Sequence, residues 1–492
     1  MFCALGRLAA LFFSFFIGTA ASASYQVPFA SYDDGLFTPF EHLDTLTHHE
    51  FSTLGHPAFP NHSVRIKKSN FCDGGVNAYT GYIDVEVRHL FFYFFESRND
   101  PTTDDVIMWI NGGPGCSSST GLFMELGPCR VLTPDGPTYN PYSWNENANV
   151  FFIDQPVGVG FSYADYGESV STTDEASRDI AAFIAIFFEN FSQFKGRAFH
   201  MAGESYGGKY IPMFAAEVYD QNAALVAAGM TPINLGSIII GNGVTDYYKL
   251  WPAYIDMVCA NASTFPIASV GACVSMKEAL PRCHRWTQAS CIDSFDDISC
   301  NAARDFCYSA IEAPFYETGR NPYDISKDCE GGIGATLCYP ITKHITEYLD
   351  LPSVRTALGV DPSLSTLNFT SCSNTVGSAF SAHSDKLHPT SEHVAQLLER
   401  GVHTLIYAGV NDWKCNWLGN QRWTLDLEWT GHDAFSTQPL KEWEVDGEVA
   451  GRTRGAHGLT FATIYGAGHM VPYDKPKEAL AMIQRWLSQE TL

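Results

Sequence analysis

Basic residues are scarce in this chain of 492 residues: 30 lysines and arginines stand against 54 aspartates and glutamates, a formal net charge of -24. That balance repels phosphate backbones and anionic headgroups, which excludes nucleic acid and anionic membrane as expected partners. It suits an acidic compartment, where partial protonation of carboxylates relieves self-repulsion. Long apolar runs are missing beyond the start of the chain. The one run, Leu5 to Ile17 behind Arg7, is followed by Ala20-Ala21-Ser22-Ala23, and reads as a secretory signal over residues 1–23. It falls short of the roughly 20 residues that a spanning helix needs. Residues 485–492 are polar, with no retention or lipidation signal. The mature chain is therefore expected to be soluble, without a membrane partner, in the secretory pathway, either secreted or vacuolar. No internal repeat or low-complexity tract is evident, so no repeat architecture is expected.

Cysteine, by contrast, is plentiful at 14 residues, and in a secreted chain that implies disulfides. Cys3 leaves with the signal, so an odd number remains and at least one thiol stays unpaired. Most of the others fall between Cys259 and Cys338, among short polar segments that read as a stapled subdomain. Behind a signal peptide, the sequons at Asn61, Asn190, Asn261 and Asn368 become glycosylation candidates.

Residues 24–63 carry scattered histidines, prolines and acids with no sustained period, and read either as a removable propeptide or as an ordered N-terminal arm. From Tyr79 onward short apolar runs rich in β-branched and aromatic residues appear: 81–85, 90–95, 106–110, 150–153, 199–202, 237–240, 403–407 and 460–465. Helical periods separate several of them, notably at 174–188 and 210–224. Apolar strands alternating with helices predict an α/β fold, a mixed and mostly parallel sheet covered by helices on both faces. The interval 247–374 breaks that alternation. It is expected to be an inserted, disulfide-rich and mainly helical cap, with the α/β core in 64–246 and 375–492.

Functional groups in such a sheet sit just past the carboxyl ends of strands. There, Gly203-Glu204-Ser205-Tyr206-Gly207 puts a serine between two glycines on a strand-to-helix turn, which presents its hydroxyl as a nucleophile. After 403–407 comes Asn411-Asp412, and after 460–465 comes Gly468-His469. Serine, aspartate, histidine is the chain order of the α/β-hydrolase triad. His469 would take the serine proton and return it to the leaving amine, while Asp412 fixes its tautomer; Asp154 and Asp246 are rival acids. Acyl transfer also needs oxyanion donors. Tyr206 supplies one backbone N–H, and Gly113 in the glycine-rich loop 109–118 is the choice for the other. That loop lacks the Gly-Lys-Ser/Thr ending that would hold a nucleotide.

Together, residues 109–118, 203–208, 411–417 and 466–472 resemble the serine carboxypeptidases, specifically the fungal carboxypeptidase Y type. The resemblance runs from about Tyr79 to the C-terminus and includes 140–145, 154–163 and 318–321. It implies an α/β-hydrolase that releases C-terminal residues from peptides and proteins through an acyl-enzyme on Ser205, with no cofactor or metal. It also implies that Trp109, Asn111, Glu125 and Glu204 bind the substrate's terminal carboxylate. Two close carboxyl groups share a proton, and the protonated member can donate to that carboxylate, so an acidic optimum follows.

The resemblance further implies the pairs Cys116–Cys372, Cys259–Cys273, Cys283–Cys307, Cys291–Cys300 and Cys329–Cys338, with Cys415 a free thiol near the site. Cys72 and Cys129 have no familiar counterpart, and their pairing stays open. Met470 and Tyr323, with Cys415, look like pocket residues, which suggests a hydrophobic C-terminal side chain. Lys414, where close relatives tend to be apolar, would instead favour acidic neighbours, and Met124 stands where an aromatic is familiar. Acyl transfer to an alcohol or amine, or cyanohydrin cleavage, would use the same fold. A catalytically silent secretory binding protein is a third reading. The carboxylate-binding set argues against the first two and the intact triad against the last.

Overall fold

The structure, a computed structural model, describes residues 39–492 apart from 41, 73, 74 and 166. The expected signal at 1–23 lies outside the described residues, as does the first part of the 24–63 segment.

Residues with alternating faces and almost no polar interruption build the sheet. We number its strands β1 (Ser52–Gly55), β2 (His62–Lys68), β3 (Ala78–Val85), β4 (Arg88–Phe95), β5 (Asp105–Ile110), β6 (Ala148–Ile153), β7 (Phe199–Glu204), β8 (Leu235–Gly241), β9 (His403–Gly409), β10 (Lys441–Val445), β11 (Glu448–Ala456) and β12 (Leu459–Ile464). Their spatial order is β1-β2-β3-β4-β6-β5-β7-β8-β9-β12-β11-β10, and the short strand Tyr163–Ala164 joins β4. From β6 to β12 every pairing is parallel, while both flanks are antiparallel.

The side-chain period of two sends consecutive residues to opposite faces. In β4, Phe92 and Phe94 join the core on one face, and Phe91, Tyr93 and Phe95 join the core on the other. The first face is covered by α1 (Thr173–Asn190) and α2 (Gly207–Ala227), with Phe151 stacked on Phe94 at 4.2 Å and edge-on to Phe187 at 4.7 Å. Thr172 caps α1 by accepting from the Glu175 N–H. The second face is covered by the helical segments Gly121–Leu126, Thr342–Leu349 and Pro476–Leu487.

The expected boundary at 63/64 falls inside strand β2. Val64 and Ile66 are buried in the core, and so are Leu43, Leu46 and Leu54 upstream. Residues 39–63 are thus part of the folded body, because they supply apolar surface that the sheet edge would otherwise expose to water.

The interval 247–374 is mostly helical, beginning with α3 (Tyr247–Cys259), α4 (Val270–Thr287) and α5 (Asp297–Cys307). Asp246, Ser269 and Asp296 cap the three helices through side-chain oxygens. These helices enclose a smaller apolar cluster around Trp251, Tyr254 and Phe315. Cys259–Cys273, Cys283–Cys307 and Cys291–Cys300 cross-link it, with Cys329–Cys338 farther along. Short helices with so little core gain most from such links, each typically worth about 2–4 kcal/mol. Cys116–Cys372 ties the end of this interval to the glycine-rich loop, and Cys72–Cys129 closes the pair that sequence leaves open. Cys415 is the free cysteine among the described residues. No helix among them is long and apolar enough to cross a membrane.

Asn61, Asn261 and Asn368 are exposed. Asn190 differs from them: it is 3% exposed, and its amide donates to the Ile186 and Gly55 carbonyls.

Candidate active site

Because β5 through β9 and β12 run parallel, the loops after them emerge on one edge of the sheet, beneath the helical interval. The turn from β7 to α2 holds Ser205 at φ 62°, a left-handed conformation costing on the order of 1–3 kcal/mol in a non-glycine residue. Hydrogen bonds overdetermine it: the Ser205 N–H donates to the Gly241 and Asn242 carbonyls at 3.1 Å each, and its own carbonyl accepts from Val244 N–H at 2.9 Å. Gly203 permits the turn, since a Cβ there would lie 2.8 Å from Ile211 and 3.0 Å from the Ile110 carbonyl. The serine hydroxyl opens onto a cavity of about 830 Å³, lined also by Asn111, Gly113, Glu204, Tyr323, His469 and Met470.

His469 follows β12 and is 3% exposed, with its backbone N–H donating to the Tyr323 carbonyl at 2.7 Å. Its Nδ1 lies 2.7 Å from Asp412 Oδ2, which leaves Nε2 for the cavity side, 3.9 Å from Glu204 Oε1. Asp412 is fully buried and accepts from three directions: His469, Asn242 Nδ2 at 2.8 Å, and the Cys415 N–H at 3.2 Å. Those donors fix the orientation of the carboxylate toward the imidazole. The rival acids are engaged elsewhere. Asp154 accepts from Ser117 Oγ at 2.6 Å, Ser118 N–H and Phe161 N–H, and burial pushes its pKa up to about 6; Asp246 caps α3.

Asn242 escaped sequence reasoning, although Gly241-Asn242-Gly243 after β8 was a visible loop signal. Held at φ 43°, it donates to Asp412 and accepts the Gly409 N–H at 3.1 Å, and so joins the β8 and β9 loops to the triad acid.

The glycine-rich loop reaches the nucleophile from β5. A Cβ at Gly112 would sit 2.2 Å from the Tyr206 nitrogen, so only glycine lets this backbone lie against the Tyr206 N–H; Gly113 follows at φ 114°. Tyr206 is steadied from behind, its hydroxyl donating to Asp385 Oδ2 at 2.7 Å.

Beside Ser205 the four expected carboxylate-binding residues form one buried group. Trp109 Nε1 and the Gly121 N–H both donate to Asn111 Oδ1 at 2.9 Å, which turns the Asn111 amide nitrogen toward Glu125 Oε1 at 3.4 Å and Glu204 Oε1 at 3.5 Å. Asn111 and Glu204 reach the cavity, with Trp109 and Glu125 behind them. Burial raises the pKa of both glutamates, and the charge of Glu125 pushes Glu204 further, well above the carboxylate range. The Oε2 atoms of Glu125 and Glu204 are both buried without a hydrogen-bond partner, and two carboxyl groups buried around one amide favour keeping a proton between them.

Asp412, Cys415 and His469 place ligand atoms within 4.8 Å of one another. As a metal site the set is poor: Nδ1 and both Asp412 oxygens are already hydrogen-bonded, and burial holds the Cys415 thiol protonated where a metal needs thiolate. Cys415 Sγ instead lies 4.0 Å from Ser205 Oγ, and Tyr323 and Met470 form part of the cavity wall.

A strained serine on a strand-to-helix turn, with a buried His–Asp pair at the same sheet edge, defines an α/β-hydrolase. Within that class, residues 72–489 match the serine carboxypeptidase family model, and the chain belongs to that family. It is 44% identical to carboxypeptidase Y of Candida albicans over 434 residues, spanning 87% of this chain and 77% of the relative. It is 41% identical to carboxypeptidase Y of Komagataella phaffii, spanning 87% and 80%. In fold it is similar to Kex1Δp, a prohormone-processing carboxypeptidase from Saccharomyces cerevisiae, with a TM-score of 0.67 at 22% identity over 90% of this chain and 95% of that one. The chain is a serine carboxypeptidase acting on peptides.

Proposed function

We propose that this carboxypeptidase works by the following division of labour. The substrate's terminal carboxylate sits against Asn111 and the protonated member of the Glu125–Glu204 pair. Ser205 attacks the last peptide carbonyl as His469 takes its proton, and Asp412 stabilises the imidazolium. The N–H groups of Gly113 and Tyr206 receive the oxyanion. His469 then protonates the departing amino acid, and water releases the acyl-enzyme by the same path. The observation that carries this reading is the buried pair of Glu125 and Glu204 meeting at the Asn111 amide, with Glu204 one residue before the nucleophile. A hydrolase without chain-end selectivity has no use for it.

The same pair gives the enzyme an acidic optimum, because a second ionisation would set two negative charges against the substrate carboxylate. Six disulfides support a secretory or vacuolar destination. A fluorophosphonate probe tests the nucleophile: it labels the wild type and not Ser205→Ala, and persistent labelling of that variant would assign the chemistry to another serine.

A further inference from the structure

Behind Cys415 lies a charged cluster that the mechanism leaves unused. Lys414 Nζ lies 2.9 Å from Glu312 Oε2, whose other oxygen accepts from the Tyr247 hydroxyl. Lys386 Nζ donates to that same hydroxyl at 3.2 Å and sits 4.2 Å from the centre of the Tyr247 ring. The Tyr254 hydroxyl donates to the Lys414 carbonyl at 2.9 Å. Arg304, on the cavity wall, is matched by Asp305 at 2.8 Å. Three cations thus face two carboxylates, a local positive excess inside a strongly acidic protein.

Its position ties it to the reaction. Glu204 precedes Ser205 in the chain and lines the cavity with it, while Cys415, adjoining Lys414, places its Sγ 4.0 Å from the Ser205 hydroxyl. The substrate's last residue occupies the glutamate side, so the residue before it, retained in the acyl-enzyme, extends away from that side. Glu312 is only 1% exposed, whereas Lys414 keeps 28% of its side-chain surface and Lys386 is half-buried. The carboxylate is buried and the two ammonium side chains keep contact with solvent.

Resting on the carboxypeptidase reading, we infer that Lys414 and Lys386, set around Glu312, form a specificity pocket for an acidic side chain on the penultimate residue of the substrate. Glu312 holds Lys414 in place and satisfies half of the positive charge; an incoming carboxylate satisfies the rest. A basic side chain meets like charge there.

Initial rates on benzyloxycarbonyl-Glu-Phe, -Ala-Phe and -Lys-Phe near pH 6 test it. The expected kcat/KM for the Glu substrate is about tenfold that for the Lys substrate, as one partly desolvated ion pair can supply. Lys386→Met brings that ratio towards unity and Glu312→Gln widens it, opposite shifts that a merely structural role would not give. Release from the Ala substrate with a Glu-to-Lys ratio at or below one, or with both variants shifting it the same way, overturns the pocket and leaves the carboxypeptidase reading intact. No release from any of the three removes that reading and the pocket with it.

Discussion

Glu204 and Glu125 are both buried and meet at one amide, with their Oε1 atoms 3.5 Å and 3.4 Å from Asn111 Nδ2. In the proposed mechanism, the proton count of this pair controls binding of the substrate carboxylate.

The first prediction follows from its sign. Both folded-state values are raised, so the neutral member is present at acidic pH and lost as pH rises through the upper titration of the pair. kcat/KM should fall through that step, chiefly as a rise in KM. Glu125→Gln supplies a permanent neutral partner and should flatten or shift the profile. An unchanged profile would take Glu125 out of the mechanism.

Asn242 should behave as a positioning residue for Asp412. Asn242→Ala removes a 2.8 Å donor from a buried carboxylate, a loss worth about 1–3 kcal/mol. Where that loss falls on the transition state, kcat drops roughly ten- to a hundredfold with KM little changed. A change confined to KM would point to the substrate cleft instead.

Stability should depend on Asp154. Its folded pKa of about 6 exceeds the ordinary value of 3.8, so the associated stability is full below the ordinary value and is lost as pH rises through 6. The difference amounts to roughly 3 kcal/mol, and Asp154→Asn should flatten the slope of Tm against pH between those two points. A slope equal to that of the wild type would contradict the assignment.

Glycan mapping of the secreted protein by mass spectrometry should find Asn61, Asn261 and Asn368 occupied and Asn190 bare. Occupancy at Asn190 would mean that the end of α1 unpacks during maturation.

Much of the fold was legible because the central strands are apolar on both faces and separated by helices. Strand β2 was legible in principle: Val64 and Ile66 alternate with Arg65 and Lys67, but two apolar residues among five polar ones make a faint signal. Ser205, Asp412 and His469 showed themselves through glycine-flanked loops after strands. Glu125 did not. Its neighbours Met124 and Leu126 read as an ordinary helix end, and only resemblance singled it out before the structure buried it against Glu204. The burial of Asn190 was not legible either, since a sequon records sequence and not the packing around it. Asn242 and Glu312 act across separations of 170 and 102 residues, distances that no local pattern spans.

The central claim is that this enzyme reads a free chain end. Its most direct test compares kcat/KM for a blocked dipeptide acid with that for its C-terminal amide near pH 5. The account predicts that the acid is strongly preferred and that the preference shrinks in Glu204→Gln. Equal handling of acid and amide by the wild type would contradict it.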